Sequence, residues 1–189
     1  IDTTGSMGDE ITYLQTELTD VVTRIKNTEG NTPVRISMNF YKDEGDSYVV
    51  DSHEFTEDVT TAQNQINQEY ADGGGDYPEA VKEALEDAVK NHQWSEDSIK
   101  LMFLVLDAPP HAGDEKEILA TIEEAAKKGI RIIPVASSGI DKETEFFLRA
   151  ISIATGGTYT FLTNDSGIGD SHIEPTIGDY EVEFLNDLM

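Results

Sequence analysis

The 189-residue chain has no cysteine. That excludes disulfides and thiolate metal sites and leaves the redox compartment open. Basic residues are scarce: 13 Lys+Arg stand against 38 Asp+Glu, a formal net charge of −25. So much negative charge repels phosphate, so neither nucleic acid nor an anionic membrane is an expected partner. It favours cations and basic protein surfaces, or serves only solubility or salt adaptation. No apolar run is long enough to span a bilayer, and no direct membrane insertion is expected. There is no internal repeat and no low-complexity linker. The G-x-S-x-G elbow and the H-E-x-x-H zinc motif are both absent. What remains is one domain of ordinary length with room for a real core.

The densest chemistry stands at Ile1-Asp2-Thr3-Thr4-Gly5-Ser6-Met7. A carboxylate at Asp2 and hydroxyls at Thr4 and Ser6 follow at two-residue steps. Gly5 lets the backbone turn tightly between them. A strand end turning into a helix brings three such oxygens round one point. Hard oxygen donors suit Mg²⁺, Mn²⁺ or Ca²⁺ rather than a sulfur-seeking metal. The plainer alternative is a loop whose Thr and Ser cap a helix.

Along the chain, Ile11, Leu14, Leu18, Val21, Val22 and Ile25 predict an amphipathic helix over 10–26. Val34, Ile36, Met38 and Phe40 alternate with polar residues and predict a strand over 33–41. Tyr48 to Phe55 reads as a second strand, and the short link favours an antiparallel hairpin. Thr56 is the expected cap of a weak helix with Val59, Ala62 and Ile66. The stretch Asp72-Gly73-Gly74-Gly75-Asp76-Tyr77-Pro78-Glu79 has a backbone able to approach a ligand closely. Pro78 fits the first turn of a helix whose apolar face holds Val81, Ala84, Leu85, Ala88 and Val89. Asp76 is either a capping residue or a ligand.

Ile99 to Leu106 is almost unbroken apolar, the pattern of a strand buried on both faces. Asp107 follows it directly, and open α/β sheets place ligand sites at the carboxyl ends of such strands. A turn-capping role is the alternative for Asp107. Asp114 is the expected cap of a helix with Ile118, Leu119, Ile122 and Ala125, ended by Gly129. Ile130 to Ala136 is a further strand, with Pro134 pushing half of it towards an edge or bulge. Residues 141–154 predict a helix with Phe146, Phe147, Ile151 and Ile153. Thr158 to Leu162 predicts a last strand, 164–176 a polar loop, and Tyr180, Val182, Phe184, Leu185 and Leu188 a final amphipathic segment. Strand and helix alternate, so the class is α/β, with helices on both faces of the sheet.

Asp2/Thr4/Ser6, Gly75/Asp76 and Asp107 each lie after an apolar segment or before a helix, and each can sit on the carboxyl edge of one sheet. At these residues the sequence resembles the von Willebrand factor A domain family, over essentially the whole chain. Asp2-Thr3-Thr4-Gly5-Ser6-Met7 is similar to its metal-ion-dependent adhesion motif, D-x-[S/T]-x-S. Leu104-Val105-Leu106-Asp107-Ala108 is similar to the strand ending in the family's late aspartate. Gly73 to Glu79 resembles the loop bearing a threonine ligand in integrin-type members, and Gly75 stands where that threonine is expected. The G-G-G-D-x-P-E and D-A-P-P-H forms match a subgroup found in matrix proteins, atypical kinases and bacterial proteins.

The resemblance implies a doubly wound, mostly parallel sheet with one antiparallel edge strand, a Rossmann-like arrangement. The strand before Asp2 then neighbours the one before Asp107, at the crevice where strand order reverses. It implies one Mg²⁺, Mn²⁺ or Ca²⁺, with Ser6 and Thr4 coordinating directly and Asp2 and Asp107 through waters. Asp76 is the candidate to replace the missing threonine. The function implied is a cation-dependent protein-binding or adhesion module, in which a partner's Glu or Asp completes the metal shell. No catalysis is expected. Two alternatives stand beside it: a metal-dependent hydrolase using Ser6 with His111 or a metal-bound water, and a scaffold whose metal site has degenerated at Gly75. A phosphoaspartyl enzyme is disfavoured, because Thr4 stands where a second aspartate belongs. Residues 1–189 are expected to form a single domain whose first strand is truncated at Ile1. The longer chain so inferred leans towards an extracellular, cell-surface or periplasmic setting.

Overall fold

The computed structural model describes residues 1–28, 33–163, 172 and 176. A short 3-10 turn, Gly5–Met7, leads into α1, Gly8–Thr28. Strands β1 (Asn39–Tyr41) and β2 (Val50–Ser52) form the antiparallel hairpin that the sequence predicts, with Phe40 opposite Asp51. Helix α2 spans Val59–Ile66 and α3 spans Val81–Glu86, which widens into a π turn at Asp87–Asn91. Then come β3 (Lys100–Leu106), α4 (Glu115–Lys127), β4 (Ile130–Ala136), α5 (Lys142–Thr155) and β5 (Thr160–Phe161). Strands β3, β4 and β5 form a parallel sheet in that order.

Residues 1–3 stitch the hairpin to the parallel sheet. The Asp2 amide donates to the Val105 carbonyl at 2.9 Å on one side. On the other, Thr3 N–H reaches Tyr41 O at 2.9 Å and Tyr41 N–H reaches Ile1 O at 3.0 Å. The spatial order is therefore β2, β1, residues 1–3, β3, β4, β5. Chain order runs outwards in both directions from residues 1–3, so the topological switch lies between them and β3. Asp2 and Asp107 stand at the carboxyl ends of the two elements flanking it.

Period-two alternation assigns the faces of the sheet. Leu104 and Leu106 of β3 pack with α3, α4 and α5 residues such as Leu85, Ile118, Leu148 and Ile151. Phe103 and Val105 point the other way, towards Met7 and Ile11. On that same side Phe40 of β1 and Met38 just before it meet Leu18 and Val22 of α1 and Ala62 and Ile66 of α2. Helices therefore cover both faces, as the α/β pattern predicts.

Several local expectations are corrected. The ladder of the first hairpin is shorter than 33–41, with an isolated bridge from Ile36 to Thr56 beyond it. Between them the Ser37 hydroxyl donates to the His53 carbonyl at 2.8 Å, competing with ladder bonds. Asp58, not Thr56, caps α2, accepting from Thr60 N at 3.0 Å. Helix α3 starts at Val81 rather than at Pro78, because Glu79 is drawn into a parallel bridge with Pro110. Asp114 holds the cap position of α4 without a capping bond, since its carboxylate takes Lys82 at 3.2 Å. Pro134 lies in β4, and the β5 ladder joins only beyond it, at Val135 and Ala136. Phe146 and Ile153 are exposed, because α5 buries the face of Thr144, Leu148, Ile151 and Thr155. The predicted loop at 164–176, except residues 172 and 176, and the final amphipathic segment lie outside the described residues.

Candidate metal centre

The turn after Asp2 is set by its own carboxylate. Asp2 Oδ1 accepts from the Thr4 amide at 2.9 Å and from the Thr4 hydroxyl at 2.8 Å. Thr4 therefore does not cap the following turn with its side chain; it turns back on Asp2. Met7 drives the turn home by burying fully against Ile11, Val105, Val135 and Leu162. Asp2, Thr3 and Thr4 are all buried, while Ser6 is exposed and its hydroxyl lies against Asp107.

The glycine loop closes over this turn. Asp72 N–H donates to Thr3 O at 3.2 Å, and Gly5 N–H to Gly73 O at 3.3 Å. Gly74 N–H donates to Asp46 Oδ2 at 2.9 Å, joining the hairpin loop to the same wall. Gly73 and Gly74 both have positive φ, 76° and 67°. A Cβ on Gly73 would fall 2.5 Å from the Asp46 carboxylate. One on Gly74 would fall 2.7 Å from Glu79 Oε1 and 2.9 Å from Thr4 Cβ. Here glycine is required by conformation and by space alike. Gly75 is different: no atom lies within 4 Å of where its Cβ would stand.

Beneath the loop, Lys42 is 2 % exposed and holds the backbone together. Its ammonium donates to Thr3 O at 2.6 Å, Tyr70 O at 3.1 Å and Asp72 O at 2.9 Å, and to the Asp72 carboxylate. Tyr48 hydrogen-bonds Thr3 Oγ1 at 2.8 Å and the Glu69 carboxylate, bracing the floor from below. Across the rim, His111 Nε2 meets Asp43 Oδ1 at 2.6 Å, which holds the imidazole above its usual pKa.

Among the described residues, four buried carboxylates keep an oxygen that makes no well-formed hydrogen bond: Asp2 Oδ2, Asp107 Oδ1, Glu79 Oε2 and Glu10 Oε2. Burial raises the Asp2 pKa, against the pull of the two Thr4 bonds. Burial, with Asp2 and Glu10 adding repulsion, pushes Asp107 to about 6 against the pull of Ser6. Burial first, and then Asp2, Asp43, Asp107 and Asp46, push Glu79 to about 8. The Tyr41 hydroxyl is buried close to the Asp2 carboxylate, and desolvation followed by Asp2 and Asp107 drives its pKa far up. Glu10, in the first turn of α1, gives Oε1 to the Ser138 amide and hydroxyl at 3.2 and 2.8 Å, while its Oε2 is also without a partner. Like charges held this close out of water raise one another's pKa values, and a cation among them reverses the effect.

Of the residues picked from the sequence, Asp2, Thr4, Ser6 and Asp107 come together at the switch point. Asp76 is exposed on the rim, near enough to His111 to raise its pKa. Among the described residues no three His, Asp or Glu side chains form a ready cation cage; the donors here are carboxylates mixed with hydroxyls. Sequence reasoning missed the parts played by Glu79, Lys42 and Glu10. Lys42 follows strand β1 directly, so the strand-end rule that found Asp107 could have found it. Glu79 closes the G-G-G-D-x-P-E stretch, but nothing in its spacing shows that it turns inwards.

The family pattern of the von Willebrand factor A domain matches residues 1–169. A protein described as an ariadne-like RING finger protein, from Acanthamoeba polyphaga mimivirus, is 28 % identical over 197 residues, which cover 92 % of this chain and 19 % of that protein. The chain thus spans about a fifth of the length of that relative. Among solved structures, the conserved hypothetical protein BatB from Bacteroides thetaiotaomicron matches with a TM-score of 0.63 at 15 % identity, covering 85 % of this chain and 86 % of that one. At that identity the likeness bears on the fold alone, and the fold agrees: a parallel sheet, an antiparallel hairpin at its edge and helices on both faces. With nine-tenths of its length inside the family pattern, the chain belongs to the von Willebrand factor A domain family.

Proposed function

We propose that the chain is a protein-interaction module whose binding depends on a divalent cation at Asp2, Thr4, Ser6 and Asp107. The observation that carries this reading is that Asp2 and Asp107, at the carboxyl ends of the two elements flanking the topological switch, are both buried with one carboxylate oxygen, Oδ2 and Oδ1, making no well-formed hydrogen bond. Buried charge without a partner is costly, and a cation is the partner that an acidic, oxygen-rich site selects. Mg²⁺, Mn²⁺ or Ca²⁺ fits these hard donors, and the ion would supply an electrophilic point for a carboxylate from outside. The residues of the chain do the positioning. Thr4 is oriented by the bond its hydroxyl donates to Asp2, which leaves the oxygen free to coordinate. Ser6 stands exposed beside Asp107, where a partner can approach. Asp76 is an exposed carboxylate of the glycine loop, on the rim near His111. The partner this arrangement suits is a protein presenting a Glu or Asp.

Calorimetric titration with Mg²⁺, Mn²⁺ and Ca²⁺ tests the reading. Wild type should give saturable heat with at least one ion, and Asp2→Ala should abolish it while remaining folded by melting. A folded wild type with no metal-dependent heat at millimolar ion sinks the idea. That same result would favour a scaffold with a degenerate site, the reading to which the bare Gly75 lends weight.

A further inference from the structure

We propose that Ser52 is a nucleophilic serine, activated by His92, that takes the acyl group of an uncharged carboxylic ester; the proposal is independent of the cation site. The two residues meet at the edge of the hairpin, where Ser52 Oγ lies 3.0 Å from His92 Nε2. Ser52 ends β2 and is exposed, whereas the His92 side chain is only 3 % exposed. The π turn sets the imidazole in place. Its five-residue repeat brings Asp87, the first residue of the turn, and His92, just after its last, round to one side. Asp87 Oδ2 then stands 3.3 Å from the same Nε2. Phe55 packs edge-on against the ring, with centroids 5.8 Å apart. Such π turns within helices are rare and recur at functional sites.

The hydrogen bonds fix which nitrogen carries the proton. The Ser37 hydroxyl gives its one proton to the His53 carbonyl at 2.8 Å. Towards His92 Nδ1, 3.1 Å away, it can therefore only accept, so Nδ1 is the protonated nitrogen. In the neutral ring Nε2 then turns a lone pair towards Ser52. The Ser52 proton has two acceptors in reach, Nε2 and the Asp87 carboxylate. Asp87 is already served at both oxygens, Oδ2 by Asn39 and Oδ1 by Asn91, each at 2.8 Å. Burial pulls the Asp87 pKa up, but bonds from Ser52, Asn91 and His92 outweigh it and hold the carboxyl ionised. An imidazolium formed at His92 thus has a carboxylate beside it. The step follows: Ser52 Oγ attacks the ester carbonyl while its proton passes to Nε2. The adduct collapses by breaking the bond to the alcohol, which leaves with that proton, and the acyl group stays on Oγ. Water, giving a proton to the same Nε2, later releases it as the carboxylic acid. The hydrogen-bonded pairs of the hairpin are Lys42–Val49 and Met38–His53, so Ser52, opposite Asn39, turns its amide outwards from β1, open to the developing oxyanion. With 38 acidic residues against 13 basic ones, the chain disfavours an anionic substrate.

The experiment treats the folded chain with p-nitrophenyl acetate in chelator, so that no metal-bound water takes part, and follows acetylation residue by residue by mass spectrometry. Ser95, exposed in the segment after the π turn, is the internal reference. A positioned general base contributes about a hundredfold or more, so Ser52 should be acetylated at least about tenfold faster than Ser95. A smaller ratio overturns the proposal. His92→Gln keeps a hydrogen-bonding side chain but removes the base, and should bring Ser52 down to the rate of Ser95. An undiminished rate at Ser52 in that variant overturns the proposal as well. The comparison of the two serines in wild type needs no variant, so it decides the matter even if His92→Gln fails to fold.

Discussion

Two buried polar regions lie within a few residues of each other and have opposite fates. Around Lys42 every donor has found an acceptor: three backbone carbonyls and a carboxylate ring one ammonium. Around Asp2, Asp107 and Glu79 each carboxylate keeps an oxygen without a hydrogen bond. Both regions are out of water, so desolvation alone does not distinguish them. What differs is completeness. The lysine joint satisfies itself and can serve only the fold. Among the described residues, the carboxylate cluster keeps oxygens that the chain leaves without a well-formed hydrogen bond. Buried polar groups that a structure leaves unpaired are where function is to be sought, and those it pairs fully are where stability is.

The hardest blow to this contrast would come at Lys42. Lys42→Met removes the donor but leaves the Thr3, Tyr70 and Asp72 carbonyls facing an apolar side chain. We expect a loss of about 3–5 kcal/mol in urea unfolding, with or without metal. A loss under about 1 kcal/mol would show that the joint is not structural.

Acidity sharpens the other half. The folded pKa values of Glu79, about 8, and Asp107, about 6, lie above those of an unfolded chain. The folded state therefore holds protons more tightly than the unfolded one, and the sign is fixed. This stability is fully present below the unfolded pKa values, near pH 4. It is lost as pH rises through about 6 for Asp107 and about 8 for Glu79. In chelator the melting temperature should fall from about pH 5 to about pH 8 and then level off. Saturating Mg²⁺ should flatten that slope, since a bound cation replaces the protons. Equal slopes with and without metal would mean that the cluster takes no ion.

The smallest effects separate two neighbouring glycines. Gly74→Ala meets positive φ and two close atoms and should cost more than about 1 kcal/mol. Gly75→Thr meets open space, so stability should move by no more than about 0.5 kcal/mol. Restoring the family's threonine there should raise Mn²⁺ affinity severalfold. If Gly74→Ala is tolerated as well as Gly75→Thr, the loop is not held as described.

Much was legible in the sequence because local chemistry and periodicity carried it. The run Ile99 to Leu106 announced a strand buried on both faces, and β3 is that strand. Asp2, Thr4 and Ser6 announced a turn of oxygen donors by spacing alone, and Asp2 and Thr4 do face each other. The boundaries that failed did so for non-local reasons. Helix α3 starts three residues past Pro78 because Glu79 is held by the Pro109 segment. Phe146 and Ile153 stay exposed because the packing of α5 on β4 chose another face.

The sequence by itself determined the class and the order of elements, and it named four oxygen-bearing residues, Asp2, Thr4, Ser6 and Asp107, that the fold brings to the switch point. It could do so because period, strand-end position and donor chemistry are properties of short stretches. Only the tertiary structure decided which charged groups are finished and which are not. Lys42, Glu79 and Asp76 look alike on paper, polar residues in glycine-rich or charged loops. Folding buries the first among carbonyls, turns the second inwards beside Thr4, and leaves the third in water. The reason is that burial and pairing are set by chain segments tens of residues apart, brought to one sheet edge by a topology that no single stretch encodes.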